Sequence, residues 1–119
     1  MIYISHRGNI SGPKPELENN PSYVEDAIAL GFDVEVDLWA VNGGIYLGHD
    51  GPQYLVNIPW LTDRAHQLWV HCKNTQALDL AIRHGLHCFF HNVDDYTMTS
   101  KGYVWAYPGN KWPPICVLA

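Results

Sequence analysis

The chain has 119 residues, 47% hydrophobic and 16% charged, which is enough for one small domain with a packed core and too few for two. Its formal net charge is −5 and its seven Lys and Arg form no basic run, which excludes the basic face of a nucleic-acid backbone binder. Three cysteines (Cys72, Cys88, Cys116) without a C-x-x-C spacing argue against a disulfide framework or a Cys-based zinc site. No apolar run approaches the ~18 residues of a membrane span, and the N-terminus has no signal-peptide pattern. The expectation is a cytoplasmic protein with no membrane span.

Ile2 to Ser5 reads as a short opening strand that ends at His6-Arg7-Gly8. A loop rich in Asn, Gly and Pro covers residues 9–20. A helix is predicted from Pro21 to Leu30, with Asn20 suited to the N-cap, Pro21 to the first helical position and Gly31 to the stop. Phe32 to Trp39 then alternates. Phe32, Val34, Val36 and Leu38 point one way, and Asp33, Glu35 and Asp37 the other. Asn42-Gly43-Gly44 is a tight turn, and Ile45 to Gly48 a strand that ends at His49-Asp50-Gly51.

After a helix-poor loop, Leu68 to Lys73 reads as a strand and Thr75 to His84 as a helix with Leu78, Ala81 and Ile82 as its apolar stripe. Gly85 stops that helix, Leu86 to Phe90 is a strand, and Tyr103 to Tyr107 and Ile115 to Leu118 are two more. Strands alternating with helices favour a parallel α/β arrangement. A full barrel of this type typically needs ~250 residues. The predicted fold is therefore a TIM-barrel-like α/β domain over residues 1–119, a truncated or incomplete (β/α) barrel with parallel strands.

Four polar clusters sit at strand ends: His6-Arg7-Gly8, Glu35-Val36-Asp37, His49-Asp50 and His71-Cys72-Lys73. In α/β barrels the active site is built at such ends. Glu35 and Asp37, two apart on one strand, put both carboxylates on one face, about 7 Å apart along the chain. On an inward face they repel, lose hydration and need a cation, and oxygen ligands favour Mg²⁺ or Ca²⁺. The alternative is a sheet whose wet face carries them. His6 and His49 suit proton transfer near neutral pH, one as base and one as acid across a phosphodiester, against the alternative of capping or packing histidines.

Arg7 offers a bidentate donor for phosphate oxygens, or else a surface ion pair. Lys73 adds positive charge for a phosphate, or is an exposed loop lysine. His71 shares the face of Lys73 and either binds metal or phosphate, or is a core histidine with one satisfied nitrogen. Tyr103, Trp105, Tyr107 and Trp112 crowd the C-terminal part beyond Asp94-Asp95. They read as core or interface, with stacking on a sugar or headgroup as the alternative. Left exposed, they also provide a surface on which two chains pair as a homo-oligomer.

The segments I-S-H-R-G-N at 4–9, L-E-N-N at 17–20, A-I-A-L-G-F-D-V-E-V-D-L at 27–38 and L-G-H-D-G at 47–51, in this order, resemble the glycerophosphodiester phosphodiesterase family. That family belongs to the phospholipase-C-like TIM-barrel superfamily. The resemblance covers residues 2–51 well and extends more weakly to about 85. It implies His6 and His49 as the acid/base pair, Glu35 and Asp37 as metal ligands, Arg7 as a phosphate contact and Glu18 as a further acid near the metal. The family carries another acid two residues before a lysine. That lysine matches Lys73, but His71 takes the place of the acid. Imidazole there removes one negative charge, with three alternatives: weaker hard-ion affinity at a site for Mg²⁺ or Ca²⁺, the first expectation; a preference moved toward a softer ion such as Mn²⁺ or Zn²⁺; or a site that has lost activity. The expected function is metal-dependent hydrolysis of glycerophosphodiesters or a related small alcohol phosphodiester, a step of lipid metabolism. The alternative is an inactive domain that binds a phosphate or sugar phosphate.

Overall fold

In a computed structural model the described residues are 2–90, 96–106 and 116–118. Asp94, Asp95, Tyr107 and Trp112 lie outside them. Strand β1 (Ile4–His6) leads through a turn-rich loop to α1 (Pro21–Ala29) and the long strand β2 (Asp33–Val41). Then come β3 (Gly44–Leu47), β4 (Tyr54–Val56), α2 (Ile58–Thr62), a 3-10 turn at Ala65–Gln67, β5 (Leu68–Cys72), α3 (Thr75–Arg83) and β6 (Cys88–Phe90). A second, small sheet holds β7 (Tyr96–Met98), β8 (Val104–Ala106) and β9 (Cys116–Leu118).

The helices begin where their caps place them. The Asn20 side chain accepts from Ser22 N–H at 3.0 Å, and Asn74 accepts from Ala77 N–H at 2.9 Å. Asn74 also donates to the Ala40 carbonyl at 3.0 Å, so the cap of α3 is tied to β2. Helix α1 ends in a Schellman arrangement: Gly31 N–H donates to Ile28 O at 2.9 Å, and Phe32 N–H to Ala27 O at 3.2 Å. Gly31 has φ +94°, a conformation that costs a glycine little.

The six-stranded sheet is mixed. Its order is β4-β3-β2-β5-β6, with β1 also on β2. Strands β1, β5 and β6 run parallel with β2, whereas β3 pairs antiparallel with β2 and β4 pairs antiparallel with β3. This corrects the expectation of a TIM-barrel-like, truncated or incomplete (β/α) barrel with parallel strands. The cause is local. Asn42 (φ +49°) and Gly43 (φ +80°) form a two-residue reversal of the type that joins hairpin strands. After β2 the chain therefore turns straight back as β3 instead of crossing over through a helix. A crossover needs about a dozen residues or more. The sheet stays open, with β4 and β6 at its ends.

Strand β4 and helix α2 fall in the segment read from sequence as a helix-poor loop. They span three and five residues, too short to show a period. The Asn57 cap on Trp60 N–H, at 2.9 Å, with Pro59 behind it, was their one legible signal. No helix among the described residues is long and apolar enough to cross a membrane.

One face of the sheet carries the main core. Val34, Val36 and Leu38 of β2, Leu68, Val70 and Cys72 of β5 and Cys88 of β6 are buried with Val24 and Ala27 of α1 and Ala77 and Ala81 of α3. The other face is split. Its lower part is closed by Trp105 of the small sheet, which stacks on Phe89 at 4.7 Å and lies 5.8 Å from Trp69. Tyr103 meets Trp69 edge-on at 5.0 Å. At these two positions the aromatic stripe is packing surface. The upper part of the face is left to polar residues.

His87 joins this aromatic cluster, 4.1 Å from the Trp69 ring and 2.6 Å from the Thr99 hydroxyl. Burial, with the charge of Lys101 adding to it, holds its pKa down to about 4. A histidine ordinarily titrates near 6.5, so the unfolded chain takes up a proton before the folded one does. The stability this group contributes is present above that ordinary value and is lost as pH falls through about 4. Between about pH 7 and about pH 4.5, wild type should lose about 2 kcal/mol more in urea melts than His87→Phe does. Equal losses in the two proteins would show that His87 is not held neutral by its surroundings.

Candidate functional site

The site grows from the way β2 is edged. Strand β1 pairs with residues 33–35 of β2, and β3 pairs with residues 38–41 on the same edge. Between them β2 has a seam. The loops leaving β1 and β3 fill it: Arg7 N–H donates to Glu35 O at 2.8 Å, and Gly48 N–H donates to Asp37 O at 3.1 Å. The end of β1 and these loops bring His6, Arg7 and His49 to the same place. On the opposite edge His71 of β5 lies in register with Asp37. Alternation then sends Glu35, Asp37 and His71 to the polar face.

Glu35 and Asp37 are 2% and 0% exposed, so the alternative of a solvated strand face does not hold. Asp37 is the more strongly held. Arg7 Nε lies 3.1 Å from its Oδ2, His49 Nδ1 3.7 Å from the same oxygen, and His71 Nδ1 3.1 Å from Oδ1. The Asn19 amide donates to Oδ2 at 2.9 Å, and its carbonyl accepts the Asp37 backbone N–H at 2.9 Å. Glu35 has His6 Nε2 3.5 Å from Oε1 and His71 Nδ1 3.7 Å from Oε2.

Burial raises the Asp37 carboxyl, but contacts from His49, His71 and Asn19 and the charge of Arg7 outweigh it and hold the group well below the usual range. Glu35 goes the other way. Burial and the negative charge of Asp37 push it up, against the pull of His71 and His6. His71 loses to burial and gains more from the two carboxylates, which lift it to about 9. Glu35 Oε1 and Asp37 Oδ1 remain buried with no hydrogen-bond partner among the described residues. Oxygens in that state call for positive charge. Donor atoms of Glu35, Asp37 and His71 lie within 4.8 Å of one another, and the cluster can hold a metal ion.

Of the other candidate residues, Glu18 turns away from the triad. Its Oε1 accepts from Arg7 at 3.0 Å, and its Oε2 accepts from the Asn9 amide at 3.0 Å. Burial raises its carboxyl and these bonds more than reverse that, so it stays ionised and steadies Arg7. Arg7 also lies 3.4 Å from His49 Nε2. Lys73 follows β5, half-buried, and makes no side-chain hydrogen bond or ion pair among the described residues. The side chains of His6 and His49 are 34% and 45% exposed, so two accessible imidazoles stand over a buried triad.

Sequence reasoning passed over Asn19, Asn9 and Trp39. Asn19 stands in L-E-N-N, and Asn is among the non-glycine residues best suited to its φ of +67°. Asn9 accepts from the Tyr23 hydroxyl at 2.9 Å, which ties the Arg7 loop to α1. The Trp39 indole donates to Gly48 O at 2.7 Å and pins the His49 loop. A Cβ on Gly48 would overlap the Gly51 carbonyl, so this turn accepts no larger residue. No family model matches the chain, and no curated protein or solved structure does.

Asn19→Gly keeps the backbone conformation and removes both bonds to Asp37. It should cost about 2 kcal/mol in urea denaturation, because a buried N–H and a buried carboxylate lose partners together. A midpoint unchanged from wild type would mean that Asn19 does not hold Asp37.

Proposed function

We propose that this chain is a metal-dependent phosphoric diester hydrolase related to the glycerophosphodiester phosphodiesterases, acting on a glycerophosphodiester or a similarly small alcohol phosphodiester. The observation that carries this is the meeting of His6, Arg7, Glu35, Asp37 and His49, from three segments of the chain, in one place. Glu35 and Asp37, with His71 beside them, would hold a divalent cation, which would supply Lewis acidity toward a phosphate oxygen and neutralise its charge. Arg7 directs a guanidinium to the same side, fixed by Glu18.

His6 and His49 flank the carboxylate pair and are the site's solvent-accessible proton carriers. One takes the proton of an attacking hydroxyl and the other protonates the leaving alkoxide. In the route that the family resemblance implies, the hydroxyl is the substrate's own neighbouring group, and water opens the cyclic phosphate in a second step with the two roles exchanged. Lys73 adds positive charge near the phosphate in the same reading.

A second reading, a site that binds a phosphate or sugar phosphate without turning it over, draws on the engagement of Arg7 with Glu18 and Asp37, which leaves little of the guanidinium for a substrate.

Release of alcohol from glycerophosphodiesters and bis-p-nitrophenyl phosphate, with Mg²⁺, Ca²⁺, Mn²⁺ or Zn²⁺ added, tests the proposal. Turnover should require added metal and fall about 100-fold or more in His6→Ala and in His49→Ala. Folded wild type with no turnover under any metal, but with saturable phosphate binding, would replace the enzyme by the second reading.

A further inference from the structure

The donor set at the centre of the polar face is mixed. Glu35 and Asp37 bring carboxylate oxygens, while β5 brings a nitrogen, His71 Nδ1, 3.1 Å from Asp37 Oδ1 and 3.7 Å from Glu35 Oε2. Two donors each about 2.1 Å from one ion lie about 3.0 Å apart in octahedral and about 3.4 Å apart in tetrahedral geometry. The His71–Asp37 distance falls at that spacing, the His71–Glu35 distance lies somewhat beyond it, and the three donors lie within 4.8 Å of one another. Glu35 Oε1 and Asp37 Oδ1 are buried without hydrogen bonds among the described residues, so the cluster has donor capacity to give.

The imidazole is fixed as well as near. Its ring stacks on Phe89 at 5.0 Å and 15°, and its backbone is locked opposite Asp37 by the parallel register of β2 and β5. Phe89 is itself pressed by Trp105 from the small sheet. A ring held so firmly is a built ligand, where an exposed histidine would be a chance one.

Nitrogen in the donor set bears on which ion fits. Ca²⁺ takes about six to eight oxygen ligands, and Mg²⁺ keeps its waters and adds one or two carboxylates. Neither gains from imidazole. Carboxylate combined with imidazole suits divalent ions of the later first transition row, whose affinity rises from Mn²⁺ toward Cu²⁺ and remains high at Zn²⁺. Building on the metal-dependent reading above, we propose that Glu35, Asp37 and His71 form a site selective for Mn²⁺ or Zn²⁺ over Mg²⁺ and Ca²⁺, with His71 Nδ1 as the ligand that sets the preference.

Calorimetric titration of the whole chain with each chloride salt reads the preference, and electron spin echo spectroscopy of the Mn²⁺-loaded protein reads the nitrogen. One equivalent of Mn²⁺ should bind at least about tenfold more tightly than Mg²⁺, with Zn²⁺ tighter again. The Mn²⁺ spectrum should carry an imidazole nitrogen coupling. His71→Glu supplies three carboxylates. It should lose the coupling and narrow the Mn²⁺/Mg²⁺ ratio by about tenfold. If that variant fails to fold, His71→Asn is read for the same loss of coupling.

Mg²⁺ binding as tightly as Mn²⁺ in wild type, or a coupling and ratio untouched by the substitution, would overturn the proposal. Selective binding without diester hydrolysis upholds the metal site and removes the phosphodiesterase. Hydrolysis driven by Mg²⁺ alone does the reverse.

Discussion

Glu35 and Asp37 project from the same face of β2, two residues apart, and neither reaches water. A pair of carboxylates in that position is unstable unless positive charge and hydrogen bonds surround it. Much of the local structure serves that need. Arg7 and Asn19 both take left-handed backbone conformations to reach Asp37, at φ +58° and +67°. Conformations of that kind are retained where surrounding contacts hold them. Glu18 and Asn9 hold Arg7, Tyr23 holds Asn9, and Asn19 N–H donates to the Arg7 carbonyl at 3.0 Å. The loop between β1 and α1 has no regular structure, yet it is the scaffold of the charge cluster.

The seam in β2 gives this cluster its place. A strand flanked by one continuous neighbour would have its 35–37 backbone bonded by that neighbour. Here β1 stops and β3 begins on the same edge, and the backbone groups between them are met by Arg7, Gly48 and Asn19. The loop residues that satisfy the backbone are those that bring His6 and His49 over the carboxylates. A buried polar backbone needs partners, and here that requirement doubles as the means of assembling the site. The hairpin that keeps the sheet from continuing as a parallel barrel is the same one that returns His49 to the seam.

Much of the site was legible in the residues. The alternation from Phe32 to Trp39 put Glu35 and Asp37 on one face, and His6, His49 and His71 were readable as polar residues at or near strand ends. Caps at Asn20 and Gly31 bounded α1 because capping is a local interaction between neighbouring residues. The barrel expectation failed because period and element order do not say which edge of a strand is taken, or by what. The Asn42-Gly43 turn announced a hairpin, but its consequence for the whole sheet is a matter of pairing at long range. Glu18 showed the same limit. Its charge and its neighbourhood were readable, and its choice of Arg7 and Asn9 over the triad was not.

The sequence by itself determined what depends on neighbours within a few positions: helix ends, the alternating face of β2, the hairpin turn and the chemical types set at strand ends. Only the tertiary structure decided that the carboxylates are dry, that His71 joins them, that Arg7 is shared between Glu18 and Asp37, and that the sheet is open and mixed. The physical reason is that desolvation and ion pairing are properties of what packs against a group. For Asp37 the partners come from positions 7, 19, 49 and 71, separations over which no local pattern in the chain carries information.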